Sequence, residues 1–143
     1  MYIKTSIDIP APKAMVWKHL MDFDRYPEWN SFLQIKGVPK VGAQLENTIF
    51  LEGQPPQVFR PKVLEVKTEQ SFRWLGHLWI PGLFDGEHYF ELKALSEDHT
   101  HLVHGEKFKG LLRRPILWMI KSATIRGFEQ MNEGLKQQVL EKA

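Results

Sequence analysis

The sequence predicts an α+β protein in which an antiparallel sheet packs against one long C-terminal helix. Residues 2–9 alternate apolar and polar side chains, as a half-buried strand does. Further alternating runs, separated by turns that contain Gly and Pro, fill residues 33–108. After Pro115 the chain has no proline, and its apolar residues recur at helical spacing. Helices segregated to one face of an antiparallel sheet define this fold class.

The composition fits one soluble domain spanning residues 1–143. With 43% hydrophobic residues and 19 Lys and Arg against 17 Asp and Glu, the chain is not strongly basic, so no nucleic acid partner is expected. Cysteine is absent, which excludes disulfides, thiolate nucleophiles and cysteine-ligated metals. The start lacks the apolar core of a signal peptide, and no run approaches the ~18 apolar residues of a transmembrane segment. We expect a cytoplasmic protein without a cofactor.

A short helix should follow the first strand. Pro12 suits a first helical turn, and Val16, Leu20 and Phe23 recur at helical spacing. Pro27 disfavours a helical conformation at the residue before it, so this helix should end near residue 22. A second, very short helical turn is expected after the bend.

Seven strands are expected in all. Pro61 lies within one of them and indicates an edge strand or a bulge at that point. The polar residues 96–99 join the last two runs as a hairpin loop. The expected strands cover residues 2–9, 33–36, 44–51, 58–66, 71–78, 84–95 and 100–108.

The last quarter of the chain should form one helix of nearly thirty residues that starts near Pro115. Gly127 and Gly134 fall on its apolar face, where each costs about 1 kcal/mol relative to alanine. Either the sheet approaches the helix closely at these glycines, or the missing side chains leave room for a ligand beside Thr124 and Met131. The apolar face comprises Leu117, Ile120, Thr124, Gly127, Met131, Gly134 and Leu135.

The order of elements and several local motifs resemble the SRPBCC superfamily over essentially the whole chain. The matching residues are Val16, Trp17, Asp22, Tyr26, Pro27, Trp29 and Asn30, the motifs Phe72-Arg73-Trp74, Gly82-Leu83-Phe84 and Gly86-Glu87-His88, and Thr100, Leu102, His104, Glu106 and Phe108. The resemblance implies the START-like, helix-grip fold of the polyketide cyclase/dehydrase-like branch. In that fold a seven-stranded curved antiparallel sheet surrounds the terminal helix, with two short helices after the first strand. It also implies an apolar pocket between sheet and helix that binds hydrophobic small molecules or lipids.

Two histidines and a glutamate on the last two strands are the candidate catalytic residues. Alternation places His88, His104 and Glu106 on the same inward face as Phe90 and Phe108. Burying these polar groups unpaired would cost roughly 1–3 kcal/mol each, so each needs a partner in the protein, in water or in a ligand. They could orient a ligand's carbonyl or hydroxyl and move protons. The alternative is a network that only holds the sheet together.

The same three side chains have the ligand types of a two-histidine, one-carboxylate metal site. Strand spacing alone is weak support for that interpretation. His101 and His104 should point to opposite faces of their strand, so the string HLVH is not a metal clamp. We therefore predict no metal. Nucleophile-elbow, P-loop, dinucleotide-binding and HExxH motifs are all missing from the sequence.

The predicted ligand-binding pocket is mainly aromatic. Trp74 shares strand parity with Phe72, so both should face the helix, and Trp74 is the aromatic residue best placed to line a cavity. Trp29 and Phe32 are expected at the pocket's mouth, where they would gate entry. The full predicted set is Trp29, Phe32, Trp74, His88, Phe90, His104, Glu106, Phe108, Thr124, Gly127, Phe128 and Met131.

The start of the long helix, residues 113–121, is apolar all round, and Trp118 points away from the main apolar face. The simplest interpretation packs Trp118 beneath the opening helices. Alternatives are a peripheral membrane contact, an acidic partner or a homodimer contact, because cations flank the segment. These cations are Lys109, Arg113, Arg114 and Lys121.

Three functions from different classes fit these features. The leading hypothesis is a binding protein, monomeric or homodimeric, that carries or sequesters a hydrophobic small molecule or lipid in the internal cavity. The second is a cyclase- or dehydrase-like enzyme that uses the two histidines and Glu106 for acid–base chemistry on a polyketide-like substrate. The third is an interaction module similar to the chaperone activators of the superfamily. A cavity that is large, apolar and closed favours the first, a converging polar trio with an open mouth the second, and a filled core with an exposed Trp118 patch the third.

Overall fold

A computed structural model describes residues 1–142, which contain two α-helices, one 3₁₀-helix and eight strands. The helices are α1 (Lys13–Leu20), the 3₁₀-helix Phe23–Glu28 and α2 (Arg113–Glu141). The strands are β1 (Tyr2–Ile9), β2 (Leu33–Lys36), β3 (Glu46–Ile49), β4 (Gln57–Phe59), β5 (Lys62–Lys67), β6 (Ser71–Leu78), β7 (Phe84–Ser96) and β8 (His99–Lys109).

The paired strands all run antiparallel and fall into two groups that meet between β4 and β5. The larger sheet has the order β1-β8-β7-β6-β5 and the smaller one the order β2-β3-β4. An isolated bridge between Gln44 and Lys62 joins the two, and the Leu45 N–H donates to the Pro61 carbonyl oxygen over 2.8 Å. The helix-grip arrangement of a large antiparallel sheet with a long C-terminal helix is confirmed.

The expected strand over residues 58–66 is two strands, so the described chain has eight strands and the prediction of seven was wrong. The break falls at Arg60 and Pro61, between β4 and β5. Proline has no N–H to give to a ladder and fixes its own φ, which interrupts pairing on one side. As a result β4 pairs with β3 in the smaller sheet, whereas β5 pairs with β6 in the larger one.

The two opening helices are confirmed, but Pro27 does not mark the break between them. Helix α1 ends at Leu20, and Pro27 lies inside the 3₁₀-helix that follows. Tyr26 is fully buried there, and its hydroxyl donates to the Leu20 carbonyl oxygen. Asn30 then turns the chain into β2, because its side-chain oxygen accepts from two successive backbone N–H groups over 2.9 Å each.

Helix α2 differs between its two halves. We call residues 113–126 the open half and residues 127–141 the packed half. Only Leu117 and Thr124 are buried in the open half. The buried residues of the packed half are Gly127, Phe128, Met131, Asn132, Leu135, Gln138 and Val139.

The two helix glycines admit the segment that follows the 3₁₀-helix. A Cβ at Gly127 would overlap the ring of Phe32, and one at Gly134 would overlap the backbone oxygen of Trp29. Close approach is therefore the reason for both glycines. The approaching segment is the aromatic stretch after the 3₁₀-helix rather than the sheet, and the space beside Gly127 is occupied by Phe32.

Trp118 does not pack beneath the opening helices, so that interpretation was wrong. Its side chain lies on the outside of the open half of α2 and is 87% exposed. The segment that follows the opening helices contacts the packed half of α2, at Gly127 and Gly134, rather than the turns that carry Trp118. Over residues 1–142, no helix is both long and apolar enough to cross a membrane.

Candidate functional site

A cavity of about 440 Å³ lies between the open half of α2 and the inner face of the strands. An engineered cavity of ~150 Å³ holds benzene, so this volume suits a molecule of about three rings. Strands β3, β4, β6, β7 and β8 contribute its walls. The lining residues are Phe32, Asn47, Ile49, Leu51, Gln54, Gln57, Phe59, Pro61, Trp74, Gly76, His77, Leu78, Trp79, Phe84, Gly86, His88, Glu106, Phe108, Ile116, Met119, Ile120, Thr124 and Phe128.

The cavity opens beside the start of α2. Trp79 and Met119 line it and are 71% and 69% exposed, and the lining residues Gln54 and Gln57 are exposed as well. The mouth therefore lies between the loop after β3, the loop after β6 and the first turns of α2. At the opposite end Phe32 and Phe128 close the floor, with their ring centroids 5.6 Å apart.

The structure brings seven of the twelve predicted ligand-binding residues to the cavity wall. These are Phe32, Trp74, His88, Glu106, Phe108, Thr124 and Phe128. The other five, Trp29, Phe90, His104, Gly127 and Met131, do not line it. Trp29 packs on Tyr26, with ring centroids 4.7 Å apart, and does not line the cavity, while Phe32 lies at its floor, so the prediction that these two residues gate the mouth was wrong.

The polar end of the cavity is formed by His88 and Glu106. The two residues are direct neighbours in the β7–β8 register, on the inward face that strand alternation predicts. His88 Nδ1 lies 3.2 Å from Glu106 Oε1, within hydrogen-bonding distance. Glu106 keeps 19% of its side chain accessible, whereas His88 is buried. Glu106 is thus the polar group through which the cavity reaches the interior network.

Behind His88 the hydrogen bonds continue into the core. His88 Nε2 and His104 Nε2 share a hydrogen bond of 2.7 Å, and His104 Nδ1 is bonded to Asn132 Oδ1 over 2.9 Å. Asn132 Nδ2 donates to Thr5 Oγ1 over 2.9 Å, and Thr5 Oγ1 donates to the backbone oxygen of His104 over 2.8 Å. This chain of hydrogen bonds therefore runs from the cavity to a backbone carbonyl and links β7, β8, α2 and β1.

Burial disfavours the charged forms of His88, His104 and Glu106, the titratable groups in this chain of hydrogen bonds. It lowers the pKa of His88 to about 3 and raises the pKa of Glu106 to about 8. Burial also holds the pKa of His104 well below its ordinary value, and the nearby His88 ring adds to this effect. Hydrogen bonds of His104 with Asn132 and with the backbone of Phe128 oppose that shift only in part. Near neutral pH the two imidazoles are uncharged.

Aromatic rings hold the two imidazoles in place. The Trp74 indole stacks on His88 with centroids 4.5 Å apart and planes within 10°. Phe128 stacks on His104 in the same way, at 4.1 Å and 10°. Stacked rings leave the imidazole edges free for hydrogen bonds, so the packing sets where each ring nitrogen points. The predicted inward orientation of Trp74 is confirmed.

The structure does not assemble the three polar side chains as a metal site. Within residues 1–142, no three His, Asp or Glu side chains are grouped so that they could hold an ion. His101 lies on the outer face of β8, where its Nδ1 is 2.6 Å from Asp8 Oδ1, and the predicted separation from His104 is confirmed.

Several residues of the site have no signal in the sequence. Asn132 and Thr5 complete the chain of hydrogen bonds from elements far apart in sequence. Gly86 faces Glu106, because a Cβ there would overlap the Glu106 carboxyl group. Asn47 lines the opposite wall, where its side-chain oxygen is buried without a hydrogen-bond partner among the described residues. The placement of an asparagine within a strand pattern could have indicated a polar position on the wall. It could not have indicated which residues surround that position.

Comparison with known proteins identifies the family. Residues 2–140 match the family described as "Polyketide cyclase / dehydrase and lipid transport". The chain belongs to this family. The resemblance to the SRPBCC superfamily is thereby confirmed, while no curated protein matches the sequence significantly.

Solved structures agree on the fold. The Zhui aromatase/cyclase from Streptomyces sp. R1128 superposes with a TM-score of 0.80 at 10% identity, covering 99% of this chain and 94% of that one. A START superfamily protein from Mycobacterium smegmatis gives 0.75 at 17% identity, with 99% of both chains covered. Norcoclaurine synthase from Thalictrum flavum gives 0.74 at 14% identity, covering 100% and 88%. At these identities the likeness concerns the fold alone.

Proposed function

We propose that this protein binds a hydrophobic small molecule or lipid in the cavity and carries or sequesters it. The observation that supports the proposal is the cavity itself: about 440 Å³, with mainly apolar walls and a few polar groups. Its open mouth is the feature expected of the enzyme, but of the polar trio only His88 and Glu106 line it. Ligand pockets commonly occupy ~300–1,000 Å³ and have this distribution of polar groups. The family's description, which includes lipid transport, points in the same direction.

The proposal can be tested on freshly purified protein by native mass spectrometry. A lipophilic compound should co-purify with the wild type and be released on denaturation. The Thr124→Phe variant places a ring in the cavity and should lose the compound, whereas Ser122→Phe, on the exposed side of α2, should retain it. The same adducts in the wild type and Thr124→Phe, or none in any of the three proteins, would contradict the proposal.

A carrier must exchange its ligand, and the surface around the mouth suits a membrane containing anionic lipid. Trp79, Ile80, Leu111, Trp118 and Met119 are all exposed there. Backbone hydrogen bonds from 111 to 82 (3.0 Å) and from 112 to 83 (2.8 Å) tie the loop after β6 to the start of α2, so these residues form one surface. We call it the mouth patch.

Basic side chains accompany the mouth patch. Arg114, Trp118 and Lys121 follow one another at helical spacing on the exposed side of α2. An indole between two cations matches the boundary between lipid headgroups and acyl chains, where aromatic rings and basic residues are both favoured. We therefore propose a peripheral contact with anionic membranes at the mouth.

Co-sedimentation with vesicles tests this contact. The wild type should bind vesicles of phosphatidylcholine and phosphatidylserine more strongly than phosphatidylcholine alone, because each nearby cation adds about 1 kcal/mol at an anionic surface. Trp118→Ser should weaken binding, while Leu95→Ser, at an exposed site on the distant β7–β8 hairpin, should not. Absence of binding, or equal binding by both variants, would contradict the membrane proposal. A concentration-dependent dimer lost in Trp118→Ser would instead indicate a homodimer contact.

The acid–base enzyme remains a second proposal, supported by the Glu106 carboxyl group at the cavity wall beside His88. The chain of hydrogen bonds behind Glu106 ends at the His104 backbone carbonyl, so protons can be exchanged only through the cavity. This closed end favours binding over repeated proton transfer. If the protein catalyses enolisation, it should accelerate deuterium uptake at the α-carbon of 2-tetralone in D₂O, and Glu106→Gln should abolish the acceleration. Equal rates with and without the protein would contradict the enzymatic role.

A further inference from the structure

The direction of each hydrogen bond behind the cavity is set from the inner end. Thr5 Oγ1 lies 2.8 Å from the backbone oxygen of His104, which can only accept, so the hydroxyl donates. A hydroxyl has one hydrogen, and Thr5 Oγ1 must therefore accept its other bond, from Asn132 Nδ2. This fixes the Asn132 amide with its oxygen towards His104.

The directions of the remaining bonds follow in sequence. His104 Nδ1 faces an oxygen acceptor on Asn132, so it carries hydrogen, and in the neutral ring Nε2 is then an acceptor. His88 Nε2, 2.7 Å away, must supply the hydrogen of that contact. Neutral His88 is left with a bare Nδ1, which faces Glu106 Oε1 over 3.2 Å. Two bare acceptors would repel, so Glu106 must bring the hydrogen.

We propose that Glu106 rests as a neutral carboxylic acid that donates to His88 and presents its second oxygen to the hydroxyl group of a hydrophobic ligand. This inference rests on the proposed function, because it names the class of ligand that the cavity takes. The class is neutral alcohols and phenols of about three rings. A ketone or ether offers only acceptor atoms to the acceptor oxygen of Glu106, and a carboxylate adds a charge to a mainly apolar cavity.

The free oxygen of Glu106 is placed for this contact. Oε2 lies over Gly86, where the absent side chain makes room for it, and it forms no hydrogen bond among residues 1–142. The residues that α2 adds to the cavity wall are uncharged. The other titratable lining groups are His88 itself on β7 and His77 on β6, and His77 is paired with Asp85 over 2.7 Å. None of these supplies a cation to an ionised Glu106.

Loss of the Glu106 proton, with both imidazoles uncharged, would disturb the whole chain of hydrogen bonds. His88 Nδ1 would have to become the donor, His88 Nε2 the acceptor and His104 Nε2 the next donor. His104 Nδ1 would then face the Asn132 oxygen without a hydrogen, unless the amide turned over and Thr5 gave up its bond to the His104 carbonyl. The neutral acid is the only state of Glu106 that satisfies every member while both imidazoles stay uncharged.

Infrared spectroscopy on the ligand-free protein tests the protonation state directly. Near pH 6, the wild type should show the carbonyl stretch of a protonated carboxylic acid, which shifts on ¹³C labelling of glutamate. The band should be absent in Glu106→Gln and unchanged in Glu129→Gln, whose residue is exposed on α2. A wild type without this band would overturn the inference, because Glu106 would then be ionised.

Calorimetry with two matched probes tests the class of ligand. The wild type should bind 2-naphthol about tenfold more tightly than 2-methoxynaphthalene, which has no hydroxyl hydrogen. Glu106→Gln should keep this preference, because its NH₂ replaces the acid's O–H towards His88 and its oxygen still accepts. Glu106→Leu should lose it.

Each outcome of the calorimetry has one meaning. Equal affinity of the wild type for both probes would overturn the hydroxyl preference while leaving the cavity's binding function intact. Loss of the preference in Glu106→Gln would show that the acceptor must be ionised, and would also overturn the inference. Failure of both probes to bind would contradict the proposed function and the ligand class together, and the infrared band would still decide the state of Glu106.

Discussion

The two halves of α2 face the same sheet and yet border different interiors. Along the packed half seven residues are buried, and along the open half only Leu117 and Thr124. At the packed half, two glycines let the aromatic segment after the 3₁₀-helix reach the helix backbone. No such segment enters at the open half, where the space between helix and sheet is the cavity. The cavity of this protein thus lies where no segment of the chain is inserted between helix and sheet.

The largest expected effect comes from closing the space at a helix glycine. Gly134→Ala should lower the free energy of unfolding by about 2–3 kcal/mol, because the new Cβ would overlap the Trp29 backbone oxygen, which cannot move aside cheaply. Urea denaturation measures this. Ser122→Ala, exposed on the open half, should change stability by less than about 0.5 kcal/mol. Helix propensity alone predicts the opposite sign, a gain of about 1 kcal/mol for Gly134→Ala, and that result would contradict the packing account.

The pH dependence of stability should differ between the wild type and Glu106→Gln. The folded state raises the pKa of Glu106 to about 8 from an ordinary 4.5, so it keeps a proton that the unfolded chain releases. Stability from this group is complete below the unfolded pKa and is lost as pH rises towards about 8. Between about pH 6 and pH 8 the wild type should lose about 2 kcal/mol relative to the variant. Urea denaturation at several pH values checks this.

The two histidines act in the opposite direction but do not disturb that comparison. Their pKa values are lowered in the folded state, so they reduce stability as pH falls below about 6.5, and they are present in both proteins. Parallel stability curves for the wild type and Glu106→Gln would show that folding does not raise the pKa of Glu106.

Large side chains should be tolerated in one half of α2 and not in the other. Thr124→Phe fills part of the cavity, and the lost hydroxyl bonds only to the Ile120 carbonyl oxygen of its own helix. It should change the free energy of unfolding by less than about 1 kcal/mol, whereas Leu135→Trp in the packed half should cost about 2 kcal/mol. Thermal denaturation of both variants compares them. Equal losses would mean that the open half is filled in solution.

The smallest expected effect concerns two glycines that face each other across β6 and β7. Gly86→Ala should displace the Glu106 carboxyl group and weaken 2-naphthol binding about fivefold, or about 1 kcal/mol. Gly76→Ala is the matched control, because its new methyl group would make only an ordinary contact, 3.6 Å from Pro61 Cβ. Calorimetric titration of both variants gives the comparison. Equal affinities would indicate that the position of Glu106 does not matter for the probe.

The fold could be predicted from the sequence because periodicity and proline placement act locally. Alternation on β7 and β8 placed His88 and Glu106 on the same face, and a shared face with adjacent positions is enough to make them neighbours. The strand count was wrong at Pro61, where a proline can mark either a bulge or a complete break.

The rest of the site depends on contacts between elements that are far apart in the sequence, and periodicity does not predict such contacts. Asn132 and Thr5 lie 127 positions apart, and only the docked helix brings their side chains together. Gly127 fits both a close approach and an empty space, and the sequence cannot tell which of these occurs. Trp118 shows the same limit: an apolar helix start can be buried or exposed, depending on where the opening helices dock.

Titration of ¹⁵N,¹³C-labelled protein with 2-naphthol, followed by NMR, tests the central claim most directly. A ligand in the cavity should shift the Trp74 indole, the Gly86 amide and the Thr124 methyl group, all of which belong to the cavity wall. The amides of Gly134 and Leu135 in the packed half should not move. Saturable shifts confined to the first group are the result that the account predicts. Shifts confined to the packed half, or no saturable shifts, would contradict it.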